Sequence, residues 1–300
     1  MIDWKRVAKP QPDGYDSAVI AGYLFDRFGW VKKKPENCRY TLCDGHVAIV
    51  ADPIHKDEHL VESTMINAHD MWKDEHAAAL DPYLRQWHDG HEMLKLFLDE
   101  FWPKWSTTMS NGPGSRGCVS GHYDPKHGNI GRYVNAVYIT INSNQGCAEG
   151  IYHEVGHARL NALNLRIEEH DGTLITNTKD ELYESPIRRD KKRPMSAVIQ
   201  AIYSWIIFGE NDLQVATLPG IASESAEYLI GNLPKIEDGL ITIRENVKCT
   251  PEGTKFMDGY FEWGEDVAAR ARVLCQKELG SDYTRRYELA CKYRDVKVPD

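Results

Sequence analysis

Apolar residues recur at helical spacing over 16–28 (DSAVIAGYLFDRF), and Gly29 follows directly, which predicts an amphipathic helix closed by a glycine. The run YTLCDGHVAIV sets Asp44-Gly45 between two apolar stretches and predicts a β-hairpin. Residues 57–101 carry a helical pattern with a break near Asp81-Pro82, and this half holds His69, His76, His88 and His91. Residues 108–132 are rich in Gly, Pro, Ser and Asn, the chemistry of a long loop of the kind that rims an active site. YVNAVYITIN, 133–142, alternates β-branched and aromatic residues as a strand does. Four helices are then predicted: 147–164, the strongly apolar 194–208 with Pro194 in its first turn, a third beginning near Ser223, and 251–277 after the start signal Thr250-Pro251-Glu252. There is no internal repeat. The pattern predicts an α+β, helix-rich fold, organised as a mostly helical region with a hairpin over 1–130 and a catalytic region over 131–300, or as one continuous domain.

The chain has 300 residues, 42% of them hydrophobic, with a mean hydropathy of -0.52, which is ordinary for a globular protein. No stretch approaches the roughly 20 apolar residues that span a bilayer, so no membrane partner is expected. The start, MIDWKRVAKPQPDG, lacks the apolar core of a secretory signal. Cysteine occurs at 38, 43, 118, 147, 249, 275 and 291, an odd number, and reduced thiols in a cytoplasmic location are expected. Cys38 and Cys43 have no second pair to complete a four-thiolate site and read as structural. The net charge of -9 argues against a nucleic-acid partner. One basic run, Arg188 to Arg193 (RRDKKR), reads as a solvated loop, a peptide-docking patch or an anion clamp.

Candidate chemistry centres on His153-Glu154-Val155-Gly156-His157, an HExxH pentapeptide. On a helix the two histidines lie one turn apart on one face, so both imidazoles reach one ion, and Glu154 sits beside it, able to take a proton from water. The apolar neighbours Ile151, Tyr152, Val155, Leu160 and Leu163 argue against two idle surface histidines. His88 and His91 could also share a face, but Gly90 lies between them with no third donor near, and they read as surface residues. The motif leaves the reaction open. A tetrahedral zinc with Glu154 as general base would hydrolyse a peptide, and a histidine site with open positions would hold iron(II) and activate dioxygen.

Beyond the motif comes YESPIRRDKKRPMSAVIQAIYSW, 183–205, a Ser-Pro/Arg/Asp/Arg-Pro stretch leading into an apolar helix, and later CTPEGTKFMDGYFEWGEDV, 249–267. With the HExxH helix, these segments resemble the HExxH-motif peptide-modification family, the 2-oxoglutarate-dependent HExxH peptide β-hydroxylases of ribosomal peptide biosynthesis, over roughly 134–275. The resemblance implies an iron(II)/2-oxoglutarate oxygenase that hydroxylates a β-carbon of a precursor peptide. It also implies a zincin-like core in which the HExxH helix faces a second apolar helix. Ile187 stands where the family tends to have Trp, the stretch from Arg188 to Arg193 is one residue longer than usual, and Gln200 replaces a common His.

2-Oxoglutarate is a dianion, and a guanidinium fork suits its distal carboxylate. Arg188, Arg189 and Arg193 are the candidates, Arg188 first because it follows Ser185-Pro186-Ile187, with Ser185 or Tyr183 as hydroxyl helpers; alternatively Arg193 and Asp190 pair to pin the loop. On the apolar helix, Ser196, Gln200, Tyr203 and Ser204 form a polar stripe that something polar must face. The expected metal set is therefore His153, His157 and Gln200, with Tyr203 beside the cofactor. In the alternative, Gln200 only satisfies backbone or Tyr152 groups and Glu224 supplies the third ligand. Three functions follow: the oxygenase, a zinc metallopeptidase, or a degenerate zincin that binds peptides. In each, strand 133–142 lines the cleft, where an extended peptide could pair with it.

Overall fold

The computed structural model describes residues 1–35, 41–49, 65–67, 74–106, 117–120, 136–141, 143–167, 170–187 and 191–293. In chain order the elements are α1 (Trp4–Val7), α2 (Tyr15–Phe28), β1 (Thr41–Leu42), β2 (Val47–Ile49), β3 (Met65–Asn67), α3 (Asp74–Gln86), α4 (His88–Phe97), β4 (Glu100–Ser106), β5 (Gly117–Ser120), β6 (Ala136–Thr140) and α5 (Asn144–Ala162). They continue with β7 (Leu182–Tyr183), β8 (Arg193–Pro194), α6 (Met195–Val215), α7 (Ala222–Asn246), α8 (Pro251–Leu279), a short 3-10 turn (Gly280–Asp282) and α9 (Tyr283–Tyr293). The protein is helix-rich with a small mixed sheet, an α+β fold. Its chain divides into two compact units: a sheet unit, Pro10–Ala162, and a helical unit made of Met1–Lys9 with Leu163–Asp300. The boundary expected near residue 130 falls on residues outside the described set, and the HExxH helix belongs to the sheet unit.

In the sheet unit the strand order is β1-β2-β4-β6-β5, with β3 also on β4. β2, β4 and β6 run parallel, whereas β1, β3 and β5 are antiparallel to their neighbours. The hairpin expected at Asp44-Gly45 is present, and Cys43, Asp44 and Gly45 all take positive φ there. Strand β6 lies within the predicted 133–142 but is an inner strand, paired to β4 along Glu100↔Ala136 to Lys104↔Thr140 and to β5 along Gly117↔Ile139 to Ser120↔Ala136. Both its edges are taken, so an added peptide cannot pair with it, and that expectation is corrected. Its partner β5 comes from the Gly-rich stretch expected to be loop; the remainder of 108–132 lies outside the described residues.

The helical pattern over 57–101 is corrected at three points. Residues 65–67 are strand, Glu100 and Phe101 open β4, and the break falls at Trp87 rather than at Pro82, which α3 absorbs. The reason is tertiary. Trp87 is extended (φ -94, ψ 91) and buried, its ring 4.9 Å from that of Tyr152 on α5. Gly90 allows this approach, since a Cβ there would stand 2.4 Å from the Trp87 ring and 2.8 Å from Tyr152.

In the helical unit α6, α7 and α8 pack on one another, with α1 against α8. A Cβ at Gly259 would meet the Lys5 carbonyl at 2.2 Å, and Lys5 pairs with Glu262 at 2.6 Å. Glu210, nearly buried, is satisfied by Trp263 Nε1 at 3.1 Å and by both terminal nitrogens of Arg270 at 3.0 and 2.5 Å, which joins α6 to α8. α6 runs past the expected 208 to Val215, and Pro194 is its N-cap rather than a first-turn residue. Thr250 caps α8 as its sequence signal predicts. α9 lies beyond the sequence-based expectations.

Candidate metal centre

Helix α5 follows β6 directly, and Ser143 starts it by accepting from the Gly146 N–H at 3.2 Å. It packs on β5 and β6 and on α2 and α3, so most of its residues are buried. His153 and His157 are half-buried amid buried neighbours. Their Nε2 atoms stand 3.3 Å apart, with ring centroids at 4.9 Å and planes at 77°. Two ligands of one tetrahedral ion, each about 2.0–2.1 Å from it, lie about 3.3–3.4 Å apart, so the pair spans the distance that one ion requires. Burial, and secondarily the neighbouring His157, push the His153 imidazolium down to about 3, so this ring is neutral at physiological pH as a metal ligand must be. Glu154 is buried beside them, 9% exposed.

Among the described residues no group of three or more His, Cys, Asp and Glu side chains is placed to hold an ion, and the candidate site is the histidine pair alone. Gln200 lies in the helical unit, fully buried on α6, where its Nε2 donates to the Leu165 carbonyl at 2.5 Å. The rest of the polar stripe is buried with it. Ser196 donates to the Ile167 carbonyl at 3.0 Å, Ser204 to Gln200 and Ala201 carbonyls at 3.2 and 3.0 Å, and Tyr203 stacks on Tyr260 at 5.8 Å. The polar partner that the stripe demanded thus includes the backbone of 165–167. Glu224 is exposed in the first turn of α7.

Arg188 lies outside the described residues, as do Arg189 and Asp190. Arg193 sits on β8 opposite Tyr183, with its Nε buried and unpartnered. The Tyr183 hydroxyl donates to Glu181 and accepts from Asn177, both at 2.9 Å. Ser185, 4% exposed, accepts from the Ile187 N–H at 3.3 Å. His88 is exposed as expected, but His91 is buried, on the side of Leu94 at the margin of the inward α4 face that carries Met93 and Phe97; the surface reading of His91 is corrected.

The sequence reading also passed over Arg159 and Asp16, both fully buried and joined at 2.5 Å. The available signal was a charged residue two positions past His157 within an apolar run.

No protein-family model matches the chain, and no curated protein matches it. Fold and site define a helix-rich α+β protein with two histidines paired one turn apart on α5. Among the described residues no helix is long and apolar enough to cross a membrane.

Proposed function

We propose that the protein is an iron(II)/2-oxoglutarate-dependent oxygenase that hydroxylates a β-carbon of a ribosomally made precursor peptide in the cytoplasm. The observation that carries the metal is the 3.3 Å separation of two imidazole nitrogens one turn apart on α5. Bound iron(II) with 2-oxoglutarate would supply the activation of dioxygen toward a C–H bond. His153 and His157 hold the ion, and protons compete only weakly with it for His153, whose ring is neutral well below pH 7. Arg193 offers a guanidinium to a carboxylate, and its unpartnered buried Nε is the feature that favours such a role. The choice of oxygenase chemistry rests on the resemblance over 183–205. A zincin-like core is part of the same proposal, supported by an HExxH helix packed on a mixed sheet.

A second reading, zinc-dependent peptide hydrolysis, is favoured by the tetrahedral span of the pair and by the burial of Glu154 beside it. One experiment separates the two. Anaerobically iron-loaded protein, given a precursor peptide and air, should convert 2-oxoglutarate to succinate while the peptide gains one oxygen atom at unchanged length. Cleavage of the peptide by the zinc form, with no 2-oxoglutarate consumed, would establish the hydrolase. His153→Ala and His157→Ala should each lose stoichiometric metal by elemental analysis. Retention of a full equivalent in either folded variant removes the basis of both readings.

A further inference from the structure

On the far side of α5 from its histidines lies a pair of fully buried charges. Arg159 follows His157 by two residues, roughly 200° around the helix, so its side chain leaves the side opposite the His157 imidazole. There its Nη1 donates to Asp16 Oδ2 on α2 at 2.5 Å, and both side chains are inaccessible to solvent. Asp16 is fixed in turn: Oδ1 accepts from the Gln11 N–H at 2.9 Å and Oδ2 from Ser17 Oγ at 3.1 Å. A second tie between the same two helices runs from Arg27 Nη1 to the Ala162 carbonyl at 3.3 Å, in the last turn of α5.

We propose that Asp16 and Arg159 are positioning residues for the metal chelate, setting the rotation of α5 about its own axis. The proposal rests on the reading of His153 and His157 as metal ligands. Burying two charges is costly, and packed apolar residues of similar volume are usually as stable or more so, so stability alone does not account for the pair. An apolar contact tolerates rotation and sliding, whereas a guanidinium held by a fixed carboxylate does not. The helix itself sets the distance between the two imidazoles, because they are one turn apart. Where that pair points is set by how the helix is turned. At a radius of about 6 Å, a 20° rotation carries both rings, and any ion they hold, by roughly 2 Å relative to a ligand supplied from outside α5, about ten times the ±0.2 Å tolerance of a metal–ligand bond.

The test uses the full chain and cobalt(II), whose visible spectrum reports ligand geometry, with affinity read by chelator competition and stability by the thermal midpoint. Three variants are compared with wild type: Asp16→Asn, Arg159→Lys, and the apolar double variant Asp16→Leu with Arg159→Met. Each single variant is expected to weaken cobalt binding by about tenfold to a hundredfold and to shift its visible bands. The double variant should recover the wild-type thermal midpoint and still bind weakly with an altered spectrum. Wild-type affinity and spectrum in a folded double variant, or in Arg159→Lys should the double not fold, would reduce the pair to ordinary core structure and overturn the proposal. Failure of the wild-type protein to bind one equivalent of cobalt would instead overturn the ligand reading itself, and this inference with it.

Discussion

Replacing Tyr152 by phenylalanine removes one hydroxyl from the interior and leaves every other contact of that ring in place. The hydroxyl donates to the Leu84 carbonyl at 2.7 Å. Leu84 lies in the last turn of α3, where helix geometry leaves carbonyls without an intrahelical donor, so Tyr152 acts as a cap delivered from another helix. Residue 152 is fully buried, and no water reaches the carbonyl once the hydroxyl is gone. The expected cost is that of a buried acceptor stranded without a partner, about 1–3 kcal/mol. Tyr152→Leu should cost about 0.5–1.5 kcal/mol more, because it also loses the tilted ring-to-ring contact with Trp87. Urea denaturation followed by tryptophan fluorescence reads both values. Burial raises the phenol's pKa well above its ordinary value, so the penalty should be the same at pH 6 and pH 9. A Tyr152→Phe variant within about 0.5 kcal/mol of wild type would refute the capping argument.

Two further outcomes are expected in the helical unit. Thr250→Ala loses the bond from the Gly253 N–H at 2.9 Å and the one to the Thr173 carbonyl at 2.7 Å, and should cost about 1–2 kcal/mol by chemical denaturation, while Thr250→Ser keeps most of the stability. The Lys248 ammonium, with the Thr178 N–H and the Tyr183 hydroxyl, holds the Glu181 carboxyl down at about 2. The folded state therefore binds fewer protons than the unfolded chain between pH 2 and the usual carboxylate range near 4.5, and stability falls as pH drops through that window. The difference in thermal midpoint between wild type and Glu181→Gln should shrink from pH 6 to pH 2; a constant difference would show that the bonds do not depend on the charge.

Much of the helical framework was legible. α2, α5, α7 and α8 appear where period and end signals put them, because a glycine with φ 63 at position 29 and the Thr250 cap act within a few residues of sequence. Spacing alone also placed the two histidines within reach of each other. What escaped depends on residues far apart in the chain. Nothing local distinguishes an inner strand such as β6 from an edge, since that depends on the pairing of Cys118 with Tyr138 and its neighbours. The break at Trp87 depends on Tyr152, and the burial of His91 depends on which face of α4 turns inward. Arg159 carries no local sign of its partner, because Asp16 lies far earlier in the chain.

Because the helical unit takes both ends of the described chain, synthesis on the ribosome imposes an order on its assembly. Residues 1–9 emerge first, yet α1 rests on α8, so its packing surface is made only after Gly259 has been translated. The sheet unit is one unbroken stretch that ends with the histidine helix at Ala162, so all of its contacts are available before α6 has been made. Domains tend to fold as units in the order they leave the ribosome. The nascent chain should therefore own a finished pair of imidazoles before the helices α7 and α8 are complete, and α1 should be the last of the early segments to find its place.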